Sequence, residues 1–562
     1  MPNPDPKTTT YTNPLIPAFN PDPSIIHHAE SGFFYLITST FHLFPGLPIY
    51  ASRDLKSWTH IGNAINRPEQ LSLDKAHMVA MPLDTGEKMV GAGGLFAPTL
   101  RFARGRFWVV CTNAVIGEGG EGKEGNDGEG EGEEGFHVRN FIIHTDDIWA
   151  GEWSDPVYVD FHGIDPSLFF DDDESGSGSA SGKVYFQGCF FINRLTQPSC
   201  TIHQFEINPE TGQKLSPEKE IWGGHARYDT EGPHIYKRGE VYYLLVAEGG
   251  TFEHHMLCIA RSKSIWGPYE DYVEGNPILT ADGTDEVVQN AGHGELVQDG
   301  EGGWWAVVLA VQDVNRRKEL RGDFVAPLGR QTFLAQVEWP EGGWPRIEQP
   351  RLEFSVRAVD IVGKGDDKKI QASHALGNLF IRTPDLSKYQ IPANGKAPIP
   401  MKPSVEGFSA FQGTCSFVGR RQGSLNSSCT ASLNISSLSD GVHAGLALYK
   451  DNLRHVSLVY NAQDRKVRCS VTTLDGGKTL SEELQIDANE IEVQFRIVAY
   501  ATGWDFFTNA SGHGNWTKLG SVSAVDFCAR EMTGPIFGLF ARAERDEVVD
   551  EFVRFTAFET DH

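Results

Sequence analysis

The chain has 562 residues, 40% of them hydrophobic and 11% aromatic, and a formal net charge of −26. That length exceeds one ordinary core, so two or more domains are expected. The acidic balance excludes nucleic acid and anionic membrane surfaces as partners, because both require basic patches.

No apolar run reaches the roughly 18 residues needed for a spanning helix. The start, Met1-Pro2-Asn3-Pro4-Asp5, lacks a basic region followed by an apolar segment. The expected location is therefore cytoplasmic, or secreted if a signal has been removed. Four Asn-x-Ser/Thr sequons, at Asn426, Asn434, Asn509 and Asn515, would matter only in the second case. The eight cysteines are scattered without a Cys-x-x-Cys pair, which reads as buried thiols rather than a disulfide framework or a metal finger.

In chain order, the first feature is Asn20-Pro21-Asp22-Pro23-Ser24, ahead of the strand-like run Phe33-Phe34-Tyr35-Leu36-Ile37. Each proline fixes its own φ and is expected to push its predecessor to an extended conformation, which would hold Asp22 on a stiff segment. Comparable openings follow at Ala97-Pro98-Thr99, Asp165-Pro166-Ser167, Glu231-Gly232-Pro233 and Gly292-His293-Gly294-Glu295. The aromatic runs after them, such as Phe107–Val110, Lys183–Phe186 and Trp304–Val308, read as inner strands. A unit of short antiparallel strands repeated five times predicts a five-bladed β-propeller, with an irregular array of β-sandwiches as the alternative. Blade openings face the axis of a propeller, so Asp22, Asp165 and Glu231 are expected at equivalent points of one cavity. The Gly- and Glu-rich stretch 117–135 and the polar stretch from Asp171 through Ser181 read as solvated loop insertions.

Charged, Gly-rich sequence from 346 to 377 reads as a linker between the propeller, 1–345, and a second domain, 378–562. Alternating strands there, among them Ala444–Tyr449, His455–Tyr460 and Glu492–Val498, predict a jelly-roll-like β-sandwich. The fold class is all-β throughout. Such a module either binds sugars or braces the propeller.

The stretches Asn13–Ile25, Thr38–Gly46, Gly94–Pro98, Gly163–Ser167, Glu231–Tyr236, Ala247–Thr251, Gly292–Gly294 and Pro327–Arg330 together resemble a glycoside hydrolase family 43 β-xylosidase. They fall in family order along all five units, and the second domain is similar to the β-sandwich of the xylosidase branch. The resemblance implies inversion at the anomeric carbon, with Asp22 as general base, Glu231 as general acid, and Asp165 orienting the acid and raising its pKa. It also implies that Arg330 reaches substrate hydroxyls and that Phe41 and Phe96 wall the terminal-sugar pocket. Many relatives have Trp at the second of these, so Phe96 departs from the pattern. His293 is implied near the axis, touching substrate, the water network or, through water, a structural Ca2+ in the channel. No cofactor is implied for the chemistry itself. His234 is read as supporting the acid's loop. The implied substrate is a xylo-oligosaccharide or arabinoxylan-derived oligosaccharide, cleaved by an exo-acting xylan 1,4-β-xylosidase with side activity on α-L-arabinofuranosides. A predominant α-L-arabinofuranosidase is the alternative within that chemistry, and a non-catalytic sugar-binding propeller is the alternative outside it.

Overall fold

The computed structural model describes residues 8–82, 88–117, 136–172, 182–192, 197–316, 324–357, 377–392, 397–479, 483–510, 515–544 and 550–561. The two expected acidic insertions lie almost wholly outside these residues. Among those described, a four-residue turn of α-helix at Ala524–Phe527 and two 3-10 turns interrupt an otherwise all-β chain.

Five antiparallel sheets follow one another in sequence order. Blade I runs Ser24–His28, Phe33–Ile37, Gly46–Ser52 and Thr59–Ile65, and blade II runs Gly94–Ala103, Arg106–Ile116, Phe136–Thr145 and Val157–Val159. Blade III runs Gly163–Asp171, Lys183–Phe191, Cys200–Glu206 and Lys219–Trp222. Blade IV runs Glu231–Arg238, Val241–Glu248, Met256–Ser262 and Glu270–Asp271, with Leu279–Thr280 added at its third strand. Blade V runs Val288–Gln298, Trp304–Gln312, Gln331–Glu338 and Arg346–Ile347. The first strand of each blade contacts the first strands of both neighbours, blade V meeting blade I, so the ring is closed around an axis. The chain start seals that junction: the Asn13 side chain brackets Leu334, donating to its carbonyl at 2.9 Å and accepting from its N–H at 2.8 Å.

The openings lie differently from the expectation. Ala97, Asp165 and Glu231 sit inside the innermost strands, and the runs Phe107–Val110, Lys183–Phe186 and Trp304–Val308 are second strands. Proline survives inside a strand because a register break accompanies it: pairing skips between Ile164 and Ser167 and again between Glu231 and His234. The backbone at these breaks is not extended. Asp22, Ala97, Asp165 and Gly232, each followed by proline, have φ of 50°, 50°, 54° and 56°. Cross-blade packing thus overrides the local preference of a pre-proline residue. It also corrects the equivalence of the three carboxylates, because Glu231 stands one residue before the bulge position that Asp22 and Asp165 occupy.

The expected linker starts too early. Arg346–Ile347 belongs to blade V, and Glu353–Arg357 pairs with Thr8–Thr12. Beyond it, two sheets stack as a sandwich. One is built on Ile399–Met401, Val553–Thr560, Ser427–Asn434, Glu492–Tyr500, Gly503–Asn509 and Thr517–Ser523. The other contains Ser416–Arg421, Ile536–Ala543, Val442–Asp451, Arg454–Asn461 and Lys466–Thr473. Their alternating inward residues, such as Leu446, Leu448, Val456, Leu458 and Phe495, are fully buried.

The sandwich is built into the propeller. Phe380–Ile381 pairs with Leu43–Phe44, and Arg530–Glu531 runs parallel to Met89–Val90. A shared apolar cluster joins Phe19, Phe41 and Met78 to Phe408, Phe417, Tyr449 and Phe540. Beside it, the buried carboxylates Glu531 and Asp451 are neutralised by Lys450 and Arg454. Gly329 shows how close the two domains approach: a Cβ there would lie 2.3 Å from the Thr533 carbonyl oxygen.

Candidate active site

Asp22, Asp165 and Glu231 converge at the axis, as the blade repeat predicts. Asp22 accepts a hydrogen bond from Ser39 Oγ at 2.6 Å on Oδ2 and forms an ion pair with the Arg330 guanidinium, 3.2 Å from Oδ1. Ser39 is itself fixed by the Ala97 N–H at 2.8 Å. Blades I and II therefore hold the Asp22 carboxylate between them.

Asp165 is buried and Glu231 partly buried beside His293, whose Nδ1 lies 3.6 Å from Asp165 Oδ2. Burial pushes Asp165 up to about 6; His293 and Arg330 oppose the rise and Asp22 adds to it. Burial, then the negative charge of Asp165 and further contributions from Asp229, Cys200 and Asp22, holds Glu231 well above the usual carboxylate range. A carboxylic acid kept protonated near neutrality beside other carboxylates is the electrostatic arrangement of a general acid. Gly232 follows the acid because the His293 ring allows nothing larger: a Cβ would lie 2.9 Å from its Nδ1.

Arg330 spans both domains, donating from Nε to the Met532 carbonyl at 3.3 Å and from Nη1 to Thr251 Oγ1 at 3.0 Å. Its guanidinium lies 5.3 Å from the centroid of Phe41. Phe41 is itself stacked between Phe19 and Phe96, at 6.0 and 5.9 Å. Phe41 is 2% exposed and backs Arg330, whereas Phe96 keeps part of its ring uncovered. The sequence motif places Arg330 but does not reveal Ser39, Thr251 or Met532, which act across blades and domains.

Beside this pocket Glu295 joins the blades. It accepts from Ser24 Oγ at 2.6 Å and Ile25 N–H at 3.0 Å, pairs with Arg101 at 2.5 Å, and lies 3.4 Å from His234. Burial alone would raise its pKa, but Arg101, His234 and these donors together hold it below the ordinary value. His234 is kept neutral by burial, with its pKa lowered to about 3. It is part of a strand and of this hub, not of a loop that merely supports the acid.

A second buried carboxylate shapes the approach to Glu231. Glu248, 0% exposed, accepts from the N–H groups of His225, Ala226 and Arg227 at 2.9, 3.2 and 3.0 Å and from Thr230 Oγ1 at 3.0 Å. This pins the segment immediately before Glu231. Replacing Glu248 with Gln turns one acceptor into a donor facing N–H groups, at a cost of about 1–3 kcal/mol. The expected result is a kcat reduced roughly tenfold with KM little changed, together with a lower Tm, read by steady-state kinetics and thermal melting.

Asp165, Glu231 and His293 place one donor atom each within 4.8 Å of one another, a metal-like grouping among the described residues. The set suits a calcium ion poorly: two carboxylates and an imidazole fall short of its six to eight oxygen ligands. A dication there would also strip the proton that Glu231 is arranged to keep.

A closed propeller that brings Asp22, Asp165 and Glu231 together at its axis, with Glu231 held well above the usual carboxylate range, has the arrangement of an acid–base hydrolase. The sequence pattern of glycosyl hydrolases family 43 matches residues 11–345, and that of the β-xylosidase C-terminal concanavalin A-like domain matches 379–560. The chain belongs to glycosyl hydrolase family 43. It is 34% identical over 550 residues, 94% of this chain and 90% of the other, to the non-reducing end α-L-arabinofuranosidase BoGH43B of Bacteroides ovatus. It is 31% identical over 516 residues, 86% of each chain, to a xylosidase/arabinosidase of Butyrivibrio fibrisolvens. Among solved structures, the xylan β-1,4-xylosidase of Bacillus halodurans superposes with a TM-score of 0.80 at 26% identity, covering 98% of this chain and 100% of that one.

Proposed function

We propose that this hydrolase is an exo-acting, inverting β-1,4-xylosidase that releases xylose from xylo-oligosaccharides, with side activity on α-L-arabinofuranosides. The observation that carries the reading is the division of labour among the carboxylates. Asp22 accepts from Ser39 and is ion-paired with Arg330, while burial and Asp165 hold the pKa of Glu231 well above the usual carboxylate range. In this mechanism Asp22 draws a proton from water as it attacks the anomeric carbon, and Glu231 delivers its proton to the departing glycosidic oxygen on the opposite face. Inverting enzymes hold such a pair roughly 6.5–9.5 Å apart to admit the water. Arg330, fixed at three points, presents its fork to the sugar hydroxyls. Phe96 offers an apolar face to the ring. The sandwich packed behind Arg330 and Phe41 walls one end of the pocket, which suits removal of a terminal residue.

A predominant α-L-arabinofuranosidase is the second reading, favoured by the name of the Bacteroides ovatus relative. Hydrolysis of 4-nitrophenyl β-D-xylopyranoside and 4-nitrophenyl α-L-arabinofuranoside decides between them by kcat/KM. A higher value on the xyloside is expected, and a higher value on the arabinofuranoside replaces the first reading with the second.

The carboxylate chemistry needs no metal. Dialysis against EDTA is expected to leave kcat/KM within about twofold of the untreated enzyme, because the pocket donors suit calcium poorly. A loss restored by added Ca2+ would place an ion in the mechanism after all.

A further inference from the structure

A groove of about 630 Å3 opens on the sandwich and is lined by no residue of the propeller. Its floor is the outer face of the sheet whose other face, carrying Leu446, Leu448, Val456 and Leu458, fills the core. On the outer face Phe540, Gly445 and Val459 lie opposite one another on three adjacent strands. Gly445 sits in the middle of that row, where a Cβ would lie 1.8 Å from the Leu458 carbonyl oxygen, so the strands approach closely there. One wall is Phe408, which packs at 5.0 Å on Phe540 and 5.2 Å on His455.

The outer half is polar and partly open to solvent. Ser457 faces Ser470 across the ladder, and His455 faces Thr472. The three hydroxyls make no hydrogen bond among the described residues, although all three line the groove. His455 is 8% exposed and uses only Nδ1, toward the Asp451 carbonyl at 3.4 Å. Burial lowers its pKa to about 4, so its ring is neutral and Nε2 is available to a ligand hydroxyl. Glu406 and Arg542, one charge of each sign, are both on the lining, so the groove favours neither an anion nor a cation. Hydroxyls and a neutral imidazole set against an aromatic wall match a neutral polyhydroxylated ring, whose faces are apolar and whose edge is hydroxyl. The volume lies in the range that holds small ligands.

We propose that this groove is a second carbohydrate-binding site, one that holds a neutral pentose-based chain outside the catalytic pocket. Ser457, Ser470, Thr472 and His455 bond its hydroxyls, and Phe408 and Phe540 cover its apolar faces. The choice of a pentose chain rests on the proposed function; the hydroxyl-binding character of the groove does not.

Native gel electrophoresis through soluble arabinoxylan tests it, using full-length Asp22→Ala protein so that the polymer is not cleaved. Ser470→Trp fills the groove from an outer strand, and His455→Phe removes the free ring nitrogen while keeping the ring. Each is added to Asp22→Ala, and both are expected to keep Tm within about 2 °C of that parent. The parent is expected to be retarded, and both double variants to lose roughly tenfold or more in apparent affinity. Equal retardation of all three proteins, or no retardation of the parent, overturns the proposal. Aryl-glycoside hydrolysis by the unmodified enzyme reports on the catalytic pocket separately. Inactivity there with groove-dependent retardation would leave the groove standing and remove the catalytic reading; the converse would do the opposite.

Discussion

Asp22→Ala is expected to lower kcat on xylobiose by roughly 10³- to 10⁴-fold, with the fold unchanged. The side chain does not merely fill space. It is the base that holds and deprotonates the attacking water, and the neighbours that orient it, Ser39 and Arg330, contribute no basic oxygen of comparable strength. The backbone will tolerate the change, because Ala97 occupies the corresponding bulge of blade II at the same φ of 50°. Arg330 also keeps its bonds to Met532 and Thr251. Circular dichroism and thermal melting should match the parent while turnover collapses. A loss of only a few-fold in kcat would remove Asp22 from the role of base.

The second large effect concerns Glu231. Glu231→Gln is expected to cut kcat/KM on xylobiose by about 10²- to 10⁴-fold, and by less on 4-nitrophenyl xyloside, whose leaving group needs little protonation. The pH profile adds a signature that a structural role would not. Burial, Asp165 and other nearby charges raise Glu231's pKa, so the acid is competent at low pH and is lost as pH rises through its folded-state value. The wild-type profile therefore falls on its alkaline side, and Glu231→Gln removes that limb. Asp165→Asn deletes a neighbouring negative charge and is expected to move the limb to lower pH.

The same substitution has a stability consequence of defined sign. Asp165 has a folded pKa of about 6 against an ordinary 3.8, so the folded state binds this proton more tightly than the unfolded chain does. Its contribution is therefore fully present below the unfolded value and is lost as pH rises from about 4 to about 6. Above that window the ionised, buried Asp165 destabilises the fold, on the order of 2–3 kcal/mol. Asp165→Asn should accordingly raise Tm at pH 7 and above while lowering activity, a trade of stability for function common at active sites.

Much of this site was legible in the sequence because its residues sit in short, repeated phrases. The blade openings gave the propeller, and the openings that carry Asp22, Asp165 and Glu231 gave the pocket. Arg330 was legible from Pro327-Leu328-Gly329-Arg330. Contacts between blades were not. The Ser24–Glu295 bond joins residues 271 apart, and no local pattern pairs them. Glu248 lay inside a recognised phrase, yet its role depends on a segment some twenty residues earlier folding back over it. The positive φ of Asp22 and Asp165 contradicts what a following proline prefers. Only the closed ring, which fixes both ends of each inner strand, can impose it. The linker was placed too early because the charge pattern hides Glu353–Arg357, whose partner is the first strand of the chain.

The central claim is that Asp22 and Glu231 act from opposite faces of the sugar in a single displacement. A proton NMR time course of xylobiose hydrolysis tests it most directly, by following the anomeric signals before mutarotation mixes them. The account predicts that α-xylose appears first from the β-linked terminal residue. β-Xylose appearing first would mean retention through a covalent intermediate and would contradict it.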